Sequence, residues 1–409
     1  MFKKLLPTGL KETLKDKIKA GLFLVPERNL NIANRVAKDG IDNYINFDYE
    51  TFKTKSLGYI ETMKIEGYEY RFAKSVTKST LYASIYACMI KGLFGELKNL
   101  SLDEKKAWAN YLDAFQSEAD GYFRDPNLNG DEFETDGAWG DGWGKNHLAG
   151  HIIIAYGRLG HRPKHSFKFL EPYYNEDYLN KWLAEFDFSD RVWPQSNYIM
   201  NLVTLLQYSR DYMNNEKAQK PITRILNWLR ESQRRDTGMW HTYDLKTYHN
   251  VADAIRGAYH FYPLFFYENE VLPFGDKIVD VILKSQNSWG GFEDEGKAAG
   301  ACEDIDALDP LLRFALCTGH KTKDVNFAVK KAMIWYLASL NKSGGFEFMV
   351  ETPNEYGKHP VTTSKINEAN MFATWFRTLG MAYICDYLEV DNDFDIGTFP
   401  GYEISLNVK

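Results

Sequence analysis

The sequence predicts an all-α fold, a single (α/α)6 barrel or toroid built from helical hairpins of about 50 residues. Three observations predict it. A helix-ending pattern recurs at near-constant spacing. Strongly apolar helical stretches alternate with amphipathic ones. Sustained period-two alternation with hairpin turns, the mark of strands, is missing.

The recurring pattern is an amphipathic helix that ends in Gln or Asn, followed by a short turn of the form Gly-x-aromatic. It occurs at Gln116 with DGYF (120–123), Gln233 with DTGMW (236–240), Gln286 with SWGGF (288–292) and Asn341 with SGGF (343–346). A degenerate copy, WLAEFDFSDRVW (182–193), carries Phe186 in the Gln position and no glycine. The steps between these anchors are 70, 47, 53 and 55 residues. A Gln there can bond the last helix carbonyls or the next turn. The glycine supplies a left-handed stop, and the aromatic packs back between neighbours.

Taken in order, TKSTLYASIYACMIKGLFG (77–95) is the first strongly apolar helix. The amphipathic stretch AWANYLDAF (107–115) and the apolar GKNHLAGHIIIAYGRLG (144–160) follow. Next come YLNKWLAEF (178–186) with SNYIMNLVTLLQYSRD (196–211), then ITRILNWLRES (222–232) with NVADAIRGAYHFYPLF (250–265). The last pairs are IVDVILKS (278–285) with EDIDALDPLLRFAL (303–316), and KAMIWYLASL (331–340) with INEANMFATWFRTLGMAYICDYL (366–388). Helices apolar nearly all round must be buried, whereas amphipathic ones keep a wet face. Six buried helices ringed by amphipathic partners make an α/α barrel.

The expected organisation is an N-terminal leader with an amphipathic helix (1–60), the helical domain (61–395) and a C-terminal tail (396–409). In the leader, Leu10, Leu14, Ile18 and Leu22 recur at spacing four, with Lys11, Lys15, Lys17 and Lys19 between them. Such a basic amphipathic helix either packs on the protein itself or touches a membrane surface through residues 1–23. The net charge of −7 and the lack of a basic run in the body argue against nucleic acid as a partner. No apolar stretch is long enough for a transmembrane helix. Cys88, Cys302, Cys317 and Cys385 are scattered, which fits a reducing, cytoplasmic setting, with a peripheral membrane position open.

The repeat resembles the glutamine–tryptophan motif, Q-x(2–5)-G-x-W/F, of the terpenoid cyclase and protein prenyltransferase superfamily of α/α toroids, over about residues 70–390. In class II terpenoid cyclases of that superfamily, a GGF-type repeat end precedes an Asp-x-Asp-Asp motif whose middle Asp protonates an alkene or epoxide. Here Asp304-Ile305-Asp306-Ala307 follows Phe292 at a similar distance, so the resemblance maps the proton donor to Asp306 and the first Asp to Asp304. Ala307 departs from the motif, and the chain is short for the two barrels usual in that class. The Asp-x-Cys zinc pattern of protein prenyltransferases is absent.

In an α/α barrel the inner-helix N-termini share one rim, so their residues should converge. The expected catalytic set is Asp306, Asp304, Glu303 and Asp253. Three acids this close cannot all ionise independently if buried together, and a carboxyl kept protonated can donate a proton. The expected substrate-binding set begins with His147, His151, Trp193 and Asn197, with Ser196 beside them. It continues with Trp240, His241, Tyr243, His249, Asn250, Arg256 and His260, and closes with Asp309, Asn367, Asn370, Trp375 and Arg377. The bland reading of the Asn and Asp residues is helix capping, and Asp253 with Arg256 can be a structural ion pair. His147 and His151 at i, i+4 are either a metal pair or buried core histidines. No cofactor or metal is predicted, and a divalent metal stays open.

Three functions follow. One is an acid-initiated enzyme acting on an isoprenoid-type substrate, with aromatic walls for cationic intermediates. A second is a glycan hydrolase or lyase acting on an oligosaccharide with paired carboxylates, Asp253 opposite one of the acids at 303–309. The third is a non-catalytic toroid that binds a partner.

Overall fold

The structure, a computed structural model, describes residues 47–128 and 143–406, without the side chains of Trp143 and Lys358. The leader helix with its proposed membrane contact lies outside these residues. The described chain is mainly helical, with two short antiparallel hairpins. Six helices are buried on nearly every side: α2 (Leu81–Leu93), α4 (Trp143–Leu159), α6 (Val192–Met213), α8 (Tyr248–Tyr259), α11 (Ala301–Thr318) and α13 (Met371–Leu388). Each packs on the next, α2 on α4, α4 on α6, α6 on α8, α8 on α11 and α11 on α13, and α13 returns to α2.

The amphipathic helices are α1 (Tyr49–Met63), α3 (Leu102–Asp113), α5 (Glu176–Leu183), α7 (Gln219–Ser232), α10 (Gly275–Leu283) and α12 (Thr322–Ala338); α3 packs on α4, α7 on α6, α10 on α11, and α12 on α11 and α13, while α5 packs on α7. A short helix, α9 (Tyr262–Tyr267), continues α8 after a break at His260–Phe261, with Pro263 in its first turn. The stretch at 250–265 is therefore two helices rather than one. The last inner helix starts at Met371, five residues later than the sequence pattern suggested, because Asn367 sits at φ +59° and Asn370 caps the helix with its side chain. The expected boundary at residue 60 falls inside α1, whose Phe52, Tyr59 and Ile60 are buried in the main core. Hairpins β1 (Lys64–Glu66) with β2 (Glu69–Tyr70), and β3 (Asn354–Glu355) with β4 (Thr363–Ser364), are accompanied among the described residues by short 3-10 turns and isolated β-bridges.

The repeat turns act as joints between hairpins. The Gln116 amide donates to Gly121 O at 3.0 Å and His165 O at 2.9 Å, and that of Gln286 to Gly290 O at 2.9 Å and Ala328 O of α12 at 2.8 Å. Each Gln thus ties its own turn to the next hairpin. Gly290 and Gly344 need to be glycine twice over. Both have positive φ, and an added Cβ would lie 2.2 Å from the Lys331 and Lys55 carbonyls respectively. The 344 turn reaches α1, so the outer helices also come back to their start. The motif aromatics Phe123, Trp240, Phe292 and Phe346 are all buried. Replacing Gln286 by Ala leaves two carbonyls without their donor and should cost about 1–3 kcal/mol, read as a lower urea midpoint at unchanged m. A loss too small to measure would mean that the motif glutamine does not join the hairpins.

Candidate functional site

The N-terminal halves of α4, α6, α11 and α13, with the segment carrying β3, enclose a cavity of about 300 Å³. Trp193, Phe348, Tyr356, Phe372, Phe376 and Tyr402 supply its aromatic lining. The polar lining includes His147, Asn197, His260, Cys302, Glu303 and Asp306.

Asp306 sits in the second turn of α11 and is 2% exposed. Its Oδ2 has no hydrogen-bond partner among the described residues. Burial pushes its carboxyl well above the usual carboxylate range. The Glu303, Asp304 and Asp309 charges push the same way, and Arg256 opposes them. Pro310, four residues on, has no N–H to offer the Asp306 carbonyl, so the helix ladder is interrupted at this residue. Glu303 lies one turn earlier on the same face, with Oε1 4.0 Å from Arg256 Nη1. Gly300 leaves it room: a Cβ there would lie 2.2 Å from Glu303 Oε2. Arg256 donates to Glu293 Oε2 at 2.7 Å and lies over the Trp193 ring at 5.2 Å.

Three buried histidines are held neutral. The His147 pKa is far below its ordinary value because of burial and the neighbouring His151. Its Nδ1 lies 2.7 Å from Tyr82 Oη and its Nε2 2.9 Å from Tyr356 Oη. Burial lowers both His151 and His260 to about 3. His151 Nδ1 donates to the His147 carbonyl at 2.8 Å, and His260 Nδ1 lies 2.7 Å from Ser196 Oγ. Among the described residues no group of three or more His, Cys, Asp and Glu side chains could hold a metal ion.

Of the expected catalytic set, the cavity collects Asp306 and Glu303. Asp304 is turned away into a structural cluster, with Oδ2 2.6 Å from Arg377 Nη1 and 2.7 Å from Trp335 Nε1, and Oδ1 accepting from Phe292 N at 3.1 Å. Burial raises the Asp304 pKa, and Arg377 and these donors oppose the rise. Asp253 lies outside the lining: its Oδ2 accepts from Val192 N at 2.7 Å, at the start of α6, and from Tyr243 Oη.

Of the expected binding set, His147, Trp193, Asn197 and His260 line the cavity, while His151, Arg256 and Trp375 touch lining residues. The others have structural places. Trp240 is core, donating to Leu229 O at 2.7 Å, and His241 Nδ1 lies 2.7 Å from Tyr243 O. His249 is exposed, and the Asn250 amide donates to Asp244 O at 2.7 Å. Asn367 is an exposed turn residue, and Asn370 is the cap of α13. Asp309 pairs with Arg313 at 2.6 Å.

Sequence reading missed Cys302, Phe348, Asn354, Glu355, Tyr356, Phe372, Phe376 and Tyr402. Cys302, Phe372 and Phe376 stand at inner-helix starts, where the rim argument applied but favoured polar residues. Tyr356 and Tyr402 come from segments that carry no repeat. No protein-family model matches this chain, and no curated protein matches it in sequence.

Proposed function

We propose that the closed cycle of helices is a single α/α toroid, and that the chain is an enzyme in which Asp306 donates a proton to an isoprenoid-type substrate. The observation that carries this reading is the buried Asp306 carboxyl, without a hydrogen-bond partner on its Oδ2 among the described residues and with its pKa pushed well up by burial, in a cavity to which six aromatic side chains contribute. The volume is at the lower end of small-ligand pockets. In the proposed step a carbon of a C=C bond takes the Asp306 proton. The resulting cation rests against the faces of Trp193, Phe372 and Phe376, and Arg256 favours the carboxylate left behind. Burial first, and the Glu303 charge after it, favour the protonated form of Asp306 before the step.

The glycan reading loses its expected second carboxylate, because Asp253 serves α6. Glu303, one turn before Asp306, and Glu355, on β3, are the carboxylates at the cavity that remain for that role. A cytoplasmic place, with or without membrane contact, rests on four free thiols. No described helix is long and apolar enough to cross a membrane.

The test is turnover of linear prenyl diphosphates and of oligosaccharides by the protein and its Asp306→Asn variant. The expected result is conversion of a prenyl substrate that falls by about 10²–10⁴-fold in the variant. Prenyl turnover untouched by the substitution, or oligosaccharide cleavage in its place, would remove Asp306 from this role.

A further inference from the structure

We infer that the C-terminal hairpin, within residues 396–406, is the floor of the cavity, and that Tyr402 on it sets the length of ligand the cavity accepts. This rests on the part of the proposed function that makes the cavity a ligand site. Thr398 and Ile404 pair antiparallel, and Gly401 at φ +99° turns the chain just before Tyr402. The Tyr402 ring lies on His151 at 4.8 Å and 29°, and the Trp375 and Phe376 rings stand edge-on to it at 5.8 and 5.5 Å. It is the one cavity-lining residue carried by this hairpin.

Three inner helices hold the hairpin by their later turns. Arg158 of α4 pairs with Glu403, which is 0% exposed and also accepts from Gly397 N at 2.7 Å. Arg313 of α11 donates to Ile404 O at 2.5 Å and Ser405 O at 3.0 Å. Tyr383 of α13 donates to Ile404 O at 3.0 Å. The cavity residues His147, Asp306 and Phe372 stand on the early turns of the same three helices. The hairpin therefore lies beneath the cavity, toward the later turns of the helix cycle, and Tyr402 is what it presents to that cavity.

The seat is built into the inner helices. A Cβ on Gly157 of α4 would lie 2.5 Å from the Phe399 ring, and one on Gly92 of α2 would lie 2.8 Å from the Arg158 side chain. Two glycines, in the last turns of α2 and α4, make room for the hairpin and its anchor. A tail that packed by chance on a finished barrel would not need them.

The test is binding of straight-chain 1-alkanols of increasing length to the full chain, read by calorimetry. In the unmodified protein, affinity should rise by about 4-fold per methylene and then fall sharply at a limiting length. Tyr402→Ala should move that limit to longer chains and raise affinity for the first excluded alkanol by 10-fold or more, while Tyr402→Phe leaves the limit in place. If the alanine variant does not fold, Tyr402→Leu, shorter by a ring, gives the same reading. An unmoved limit in a folded variant overturns the floor assignment and leaves the cavity reading intact. No alkanol binding to any of these proteins overturns both.

Discussion

Replacing Arg377 by Met is expected to destabilise the protein by about 3–5 kcal/mol, the usual consequence of removing one partner from a buried ion pair. Arg377 and Asp304 are each 0% exposed, and their closest atoms are 2.6 Å apart. The guanidinium also donates to the carbonyls of Ala299 and Phe348 at 3.2 Å and of Glu347 at 3.3 Å. One side chain thereby joins α13 to α11, to the glycine-rich loop before α11, and to the segment that carries Phe348 into the cavity. Without it Asp304 keeps only the Trp335 and Phe292 donors against full burial, and its pKa rises further. The sign for pH follows. A carboxyl whose folded pKa is raised loses stability as pH climbs from its unfolded value towards the folded one. The deficit of Arg377→Met, measured by urea unfolding, should therefore be largest near neutrality and shrink as pH falls towards 4. Adding Asp304→Asn should recover part of it. A deficit independent of pH, or below about 1 kcal/mol, would mean that the pair is not what joins these elements.

Much of the fold was legible because its signals are local and repeated. An apolar helix that recurs about every 50 residues, behind a Gln and a Gly-x-aromatic turn, has few places to go but inside. What could not be read were interruptions of that periodicity by single residues. Asn370 starts α13 with a side-chain hydrogen bond that a run of apolar residues does not advertise, and α8 breaks at His260 inside an unbroken apolar pattern. The site was legible by halves. The rim argument brought together Asp306, Glu303, His147, Trp193 and Asn197, since residues at the starts of neighbouring inner helices are neighbours in space, whereas His260 reaches the cavity from the end of α8. It also gathered Asp253 into the catalytic set and Asn370 into the binding set, and the structure puts both outside the lining: Asn370 caps α13, and Asp253, in the second turn of α8, accepts from Val192 N at the start of α6. It missed Tyr402 altogether. Nothing in EISLNVK or the residues before it carries a period, and the evidence for its seat, the glycines at 92 and 157, lies far back along the chain.

Asp306→Asn is expected to make the protein more stable at neutral and alkaline pH while removing its proposed chemistry. Asp306 is buried beside Glu303 and Asp304, and its raised pKa means that folding favours the protonated form. Between the unfolded and folded pKa values the native state binds more protons than the unfolded one. Stability contributed by the neutral carboxyl is then present in full below the unfolded value and declines as pH rises through the window. Each unit of elevation is worth about 1.4 kcal/mol once pH exceeds the folded pKa. Asparagine has nearly the same shape and never ionises, so it escapes that decline. The melting temperature of Asp306→Asn minus that of the unmodified protein should thus be near zero at pH 4 and grow more positive at pH 6 and pH 8. Glu303→Gln separates this from a packing effect. Removing the Glu303 charge lowers the Asp306 pKa, so in that background the gain from Asp306→Asn should be smaller at every pH above 4. A variant that is less stable at pH 8, or a difference that does not change with pH, would show that Asp306 is an ordinary ionised carboxylate. Such a group, already without its proton, could not start the reaction proposed for it. A destabilised active-site residue whose neutral replacement strengthens the fold is what a site shaped for proton donation, at the expense of packing, is expected to contain.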